Sequence, residues 1–152
     1  MRYFITFSYD GTAFNGYQKQ PRVRTVQGEL EKVLKQINDN KEVSVSATGR
    51  TDAGVHALNQ KAHFDLEKEF DTDKLKQGLN SLLPEDIYVK KVEKVLDNFH
   101  ARFDAIGKEY VYIINMGEYN PLERHYVYQH CKKLDVIEME RALKYFEGTH
   151  NY

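Results

Sequence analysis

The sequence predicts an α+β fold, in which antiparallel strands and helices follow one another along the chain. Segments such as YFITFSY at residues 3–9 carry an apolar residue at every second position, which is typical of a half-buried strand. Two other segments have apolar residues at helical spacing, and Asp10-Gly11 and Pro84 mark points where segments end. Because 41% of the 152 residues are apolar, the chain can also bury a core.

The elements follow in a regular order from the N-terminus. Thr25 is an expected N-cap, and the helix after it has an apolar face of Val26, Leu30, Val33, Leu34 and Ile37. A second helix begins after Asp71 or Thr72 and ends before Pro84. Strands are predicted at residues 3–9, 43–47, 58–66 and 87–95.

This order, β-α-β-β-α-β, predicts a ferredoxin-like sandwich over residues 1–104. Two helices would cover one face of a four-stranded antiparallel sheet, and the other face would stay free for binding or pairing. Residues 105–152 are predicted to begin a second, incomplete α+β domain. It would contain a strand at 108–116 (KEYVYIINM) and a helix at 135–147, with Ile137, Ala142, Leu143 and Phe146 turned inward.

Composition limits the classes of function. The formal net charge is −1, so any attraction for nucleic acid must come from a local cluster of cations. Such a cluster lies in YQKQPRVR at residues 17–24, where Lys19, Arg22 and Arg24 have no acidic neighbour; we expect it to contact RNA phosphates. No apolar run is long enough to cross a membrane, and the single Cys131 fits a reducing cytoplasm.

The loop TGRTDAGVHA at residues 48–57 matches neither helix nor strand periodicity. Its glycines permit tight turns and the close approach of a partner. Asp52, two residues after Arg50, could serve there as a nucleophile, a general base or a metal ligand, or could simply make a turn or a salt bridge. The histidines show no metal-ligand spacing, so we expect no metal site, and we expect His56 to shape the loop.

Several segments together resemble the tRNA pseudouridine synthase A (TruA) family. GRTDAGVHA at 49–57 is similar to the family signature. Further segments resemble other family elements in the same order: YDGTAFNGYQKQ (9–20), TVQGELEKVL (25–34), LNSLLPEDI (79–87), FHARFDAIGKEYVYII (99–114) and GTHNY (148–152). The resemblance covers the N-terminal portion of the family's two-domain chain, so we expect this chain alone to be inactive.

The resemblance implies that uridine is isomerised to pseudouridine at positions 38–40 of the tRNA anticodon stem-loop. Asp52 would be the catalytic aspartate, and Arg50 would occupy the space left by the displaced base or contact a phosphate. Tyr110 would pack on the target base. The family also implies a homodimer, tRNA as partner, and no metal or organic cofactor.

Two other functions remain open on the residues themselves. A non-catalytic RNA-binding ferredoxin-like module is one, although residues 58–66 lack the aromatic signature of the RNA-recognition motif. A hydrolase that uses Asp52 is the other, and it would need a second carboxylate, for which Asp65 or Asp104 are candidates.

Overall fold

Four strands and two helices form the first of two units in the computed structural model, which describes residues 1–151. The first unit is Met1–Glu109 and the second is Tyr110–Tyr152. The elements of the first unit are β1 (Arg2–Tyr9), α1 (Val26–Ile37), β2 (Ser46–Ala47), β3 (Ala57–Asp65), α2 (Thr72–Leu82) and β4 (Ile87–Val95). Tyr152, the last residue of GTHNY, lies outside the described residues.

The strands form one sheet in the order β2-β3-β1-β4, with antiparallel neighbours throughout. In β1 every second side chain is buried, so Tyr3, Ile5, Phe7 and Tyr9 point toward one face of the sheet. Those residues share a single core with the apolar faces of α1 and α2. An α+β fold is therefore confirmed, with the two helices packed on the same side of the sheet.

Capping residues set the helix starts. The Thr25 side chain accepts a hydrogen bond from Gly28 N at 3.2 Å, so α1 begins at Val26 as predicted. Asp71, one of the two predicted caps, accepts from the backbone of Asp73 and Lys74 at the start of α2. Strand β4 has the predicted bounds, whereas β2 is only Ser46–Ala47 because the residues before it pair with no strand among those described.

A histidine ties the segment after β4 to the sheet face opposite the helices. His63 is buried, and its Nδ1 accepts a hydrogen bond from Ala101 N at 3.1 Å. Burial lowers the pKa of His63, and the charges of Arg2 and His100 lower it further, while Asp65 acts in the opposite direction. The folded protein therefore favours the neutral imidazole at this position.

The second unit contains β5 (Ile114–Asn115), β6 (Tyr128–Gln129) and α3 (Val136–Leu143), followed by a 3-10 turn at Lys144–Phe146. The predicted strand at 108–116 is wrong over most of its length, because only Ile114–Asn115 pair with a neighbour, β6, in parallel. The helix is found, but its predicted inward face is wrong. None of residues 110–151 is buried, since the described part of this unit has no apolar layer to cover them.

Candidate active site on the loop between β2 and β3

The charged loop predicted from TGRTDAGVHA connects β2 to β3 at one end of the sheet. The first unit places both Arg50 and Asp52 on its surface. Within residues 1–151 neither side chain forms a salt bridge or a hydrogen bond. The loop thus presents one free cation and one free carboxylate to solvent, two residues apart.

The start of the loop is fixed by a side chain from β3. Gln60 Oε1 accepts a hydrogen bond from Thr48 Oγ1 at 2.7 Å, and Gln60 Nε2 donates to Gly49 O at 3.0 Å. The backbone of Thr48 is also held, because its N–H donates to Lys61 O at 2.9 Å. The residue immediately before Arg50 therefore has a defined position.

Thr51, immediately before Asp52, is held from two directions. Its hydroxyl lies 2.8 Å from the Tyr9 hydroxyl at the end of β1, and its carbonyl accepts a hydrogen bond from Tyr17 N at 2.9 Å. Burial raises the pKa of Tyr9, against the opposing effect of hydrogen bonds with Thr51 and Gln60. Tyr9 therefore stays a neutral phenol that can bond to the loop.

The loop after β1 packs directly against the charged loop, and glycine makes this contact possible. A Cβ added at Gly11 would lie 2.1 Å from Val55 O, so only glycine fits there. Gly16 has φ +85°, and a Cβ on it would lie 3.0 Å from Thr51 O. Gly11 N donates to His56 Nδ1 at 3.0 Å, which confirms that His56 shapes the loop.

The predicted basic cluster is largely neutralised by acids from elsewhere in the chain. Lys19 Nζ lies 2.8 Å from Glu31 Oε2, and this hydrogen bond raises the pKa of Lys19. The Arg24 guanidinium donates to both oxygens of Asp86, at 2.6 and 2.9 Å. Arg22 is exposed in a turn at φ 65° and has no acidic partner within residues 1–151.

Two further residues bear on the predicted site. Tyr110 is the first residue of the second unit, and its side chain is 65% exposed, so its predicted contact with the target base stays a prediction. Lys108 was missed by the sequence reasoning. It lies beside the charged loop, because a Cβ added at Gly49 would be 3.0 Å from Lys108 Nζ.

Sequence reasoning also missed Gln60, Tyr9 and Thr51, since nothing in these residue types or their spacing indicates that they meet. For metals, residues 1–151 contain no group of three or more His, Cys, Asp or Glu side chains that could hold an ion. None of the helices described is long and apolar enough to cross a membrane.

Comparison with known proteins gives one consistent result. Residues 5–104 match the family model for tRNA pseudouridine synthase. The tRNA pseudouridine synthase A of Streptococcus mutans is 46% identical over 153 residues, which cover 100% of this chain and 61% of that protein. The enzymes of the same name from Oceanobacillus iheyensis and Geobacillus sp. are 47% and 49% identical over 148 residues, covering 97% of this chain in each case and 58% and 60% of their own lengths.

The chain thus spans about three-fifths of the length of the curated relatives it matches. The family model covers most of the first unit, including the whole charged loop. From the match to the family model and from these relatives together, the chain belongs to the tRNA pseudouridine synthase family.

Proposed function

We propose that this chain carries the catalytic loop of an enzyme that isomerises uridine to pseudouridine at positions 38–40 of the tRNA anticodon stem-loop. One observation carries the proposal. The Asp52 carboxylate is exposed and unpaired within residues 1–151, while the residue before it, Thr51, is fixed by Tyr9 and Tyr17. A free reactive group on a held backbone is the arrangement that catalysis by positioning requires.

The chemistry explains why a single carboxylate suffices. The bond between C1′ and N1 breaks, the uracil turns within the site, and a bond between C1′ and C5 forms. The C5 proton leaves to solvent and N1 gains one, so atoms and electrons balance without an external oxidant or reductant. Asp52 can attack C1′, add to the uracil ring, or remove a ribose proton, and each role uses an ionised carboxylate.

The target base must leave the stack before it can reach Asp52. Arg50 is exposed and has no acidic partner within residues 1–151, so it is available to fill the vacated space or to bind a flanking phosphate. Tyr110 would pack on the base. Of the cations on the loop before α1, Arg22 is the best placed to bind RNA, because Lys19 and Arg24 already have acidic partners.

The remaining proposals concern architecture and partners. The strand order β2-β3-β1-β4 with antiparallel neighbours supports a ferredoxin-like arrangement. We propose that this domain ends after residue 104, where the family match ends, five residues before the end of the first unit. We also propose that the enzyme is a cytoplasmic homodimer and that its substrate is tRNA. We propose that it needs no metal or cofactor, since the detached uracil is itself the group that forms the new bond to C1′.

Replacement of the proposed catalytic group tests this function directly. In the full-length product of the gene that encodes this chain, Asp52→Asn should lower kcat by more than about a thousandfold, as loss of a reacting group does in other enzymes. The measurement is tritium release from an anticodon-arm RNA labelled at uracil C5. Binding of the same RNA should change little, because the asparagine keeps the size of the side chain.

Asp73→Asn is the matched control, since Asp73 is exposed in the first turn of α2 and undergoes the same change of atoms. Comparable turnover in Asp52→Asn and in this control would refute the catalytic assignment. RNA binding without tritium release by the unmodified protein would instead favour a non-catalytic RNA-binding module.

A further inference from the structure

We propose that Gln60 is a positioning residue for the reaction, which fixes the backbone from which Arg50 and Asp52 project. This inference rests on the proposed function, and it concerns a residue outside the signature loop. Gln60 lies in β3, three residues after the segment GRTDAGVHA ends. Its side chain bonds to Thr48 and Gly49 of the loop, so we expect it to act through the loop.

The hydrogen bonds of Gln60 determine which way its amide points. Oε1 accepts from Lys61 N at 3.1 Å, and Nε2 donates to Gly49 O at 3.0 Å. A backbone N–H can only donate and a carbonyl can only accept, so a flipped amide would place donor against donor and acceptor against acceptor. The Thr48 hydroxyl, at 2.7 Å from Oε1, and the Tyr9 hydroxyl also belong to this network.

Gln60 is itself held within the centre of the sheet. Its Cα pairs with Phe7 of β1, and β1 and β3 are the two central strands of the sheet. The hydroxyl of Tyr9 on β1 holds Thr51 at 2.8 Å. The two strands therefore fix Gly49 and Thr51, the neighbours of Arg50 on either side, through one side chain each.

Both charged side chains lack partners of their own in the described chain, so only the backbone can set their positions. A reacting group displaced by about 1 Å loses on the order of a hundredfold in rate, even when the change lies away from the chemistry. The contact of Gln60 with Gly49 is thus expected to affect turnover more than RNA binding.

Gln60→Glu is the sharpest test, because it keeps the shape of the side chain and replaces the donor to Gly49 O with an oxygen. Gln60→Met removes the hydrogen bonds without adding charge. In the full-length gene product we expect both variants to lower kcat for C5 tritium release by about ten- to a hundredfold, with KM for the RNA changed less than about threefold. Circular dichroism should show both variants folded.

Two controls test whether the effect of Gln60→Glu depends on the location of this side chain, and not on the added negative charge or on the Gln-to-Glu change itself. Asn59→Asp adds the same charge one residue away, on an exposed side chain without a hydrogen bond in the described chain, and should keep wild-type kcat. Gln77→Glu makes the identical change on the exposed face of α2 and should do the same. A loss of kcat in Asn59→Asp equal to that in Gln60→Glu would overturn the proposal, as would a change confined to KM.

A second readout does not depend on activity. The backbone amides of Gly49 and Arg50, next to the hydrogen bond from Gln60, should have NMR order parameters of ~0.85 in the unmodified protein and below ~0.6 in Gln60→Glu, the values of rigid and flexible backbone. Unchanged order parameters would overturn the positioning role. If the unmodified protein releases no tritium, the proposed function fails, and the order parameters alone decide whether Gln60 orders this loop.

Discussion

Two buried tyrosines offer a test in which the same chemical change should have opposite effects on stability. Tyr17 is 2% exposed, and its hydroxyl has no hydrogen-bond partner within residues 1–151. Tyr3 is 0% exposed, and its hydroxyl donates to Phe70 O at 3.2 Å and accepts from Phe70 N at 2.6 Å. Replacing either residue with phenylalanine removes one oxygen and leaves the ring in place.

The magnitudes follow from the state of each hydroxyl. A buried polar group without a partner costs about 1–3 kcal/mol, so Tyr17→Phe should raise the free energy of unfolding by about 1 kcal/mol. Tyr3→Phe loses two hydrogen bonds and leaves the Phe70 N–H unpaired, so it should lower that free energy by about 1–3 kcal/mol. The two variants should therefore differ by at least about 2 kcal/mol.

Urea denaturation at neutral pH, analysed by linear extrapolation, gives both free energies, and about 1 kcal/mol corresponds to a Tm shift of about 2–4 °C at this chain length. Tyr17→Phe also keeps the backbone bond from Tyr17 N to Thr51 O, so catalysis should be unaffected. A loss of stability in Tyr17→Phe equal to that in Tyr3→Phe would refute the reasoning, because it would mean that the Tyr17 hydroxyl has a partner.

Three further predictions concern the loops, the pH response and the RNA. Gly11→Ala should destabilise the protein by about 1–3 kcal/mol and lower kcat, because its Cβ would lie 2.1 Å from the carbonyl oxygen of Val55 in the charged loop. Gly78 lies in α2 with open space around it, so Gly78→Ala should be neutral or stabilising in the same urea titration. The pKa of His63 is lower in the folded state than in the unfolded state, so protonation of this histidine favours unfolding. The contribution of neutral His63 to the free energy of unfolding is therefore complete above about pH 6.5 and declines as the pH falls from there toward the folded-state pKa. His63→Gln should flatten the pH dependence of unfolding over that window, and an unchanged slope would contradict the assignment. Arg22→Gln should reduce the salt slope of RNA binding by about 0.7–0.9, whereas Arg24→Gln should mainly cost stability; equal salt slopes for the two variants would place the RNA elsewhere.

The elements that the sequence predicted well are those with local signals. A capping side chain and an apolar face located the start of α1 at Val26, and the stop at Pro84 separated α2 from β4. The strand predicted at 108–116 failed for a non-local reason. β-branched and aromatic residues favour an extended backbone, but a strand also needs a neighbour, and only Ile114–Asn115 has one among the described residues.

The candidate site shows the same division. Asp52 and Arg50 stood out because a charged, glycine-flanked loop has no local structural explanation. The ion pairs of Lys19 with Glu31 and of Arg24 with Asp86 could not be predicted from the sequence, because their partners lie 12 and 62 residues away. The role of Gln60 could not be predicted either, since the sequence of a strand does not indicate which backbone groups its amide side chain will contact.

The charges of the two loops differ in a way that bears on function. On the loop before α1, Lys19 and Arg24 bind carboxylates that fix the loop to α1 and to the turn before β4. On the charged loop, hydrogen bonds fix the backbone instead, and both Arg50 and Asp52 stay exposed. A solvated charge costs almost nothing to leave unpaired, whereas a salt bridge to either group would have to break before it could act on a substrate. In the charged loop, hydrogen bonds hold the backbone and leave the side chains of Arg50 and Asp52 unbonded. The loop is therefore suited to keep these reactive groups in position for an incoming nucleotide.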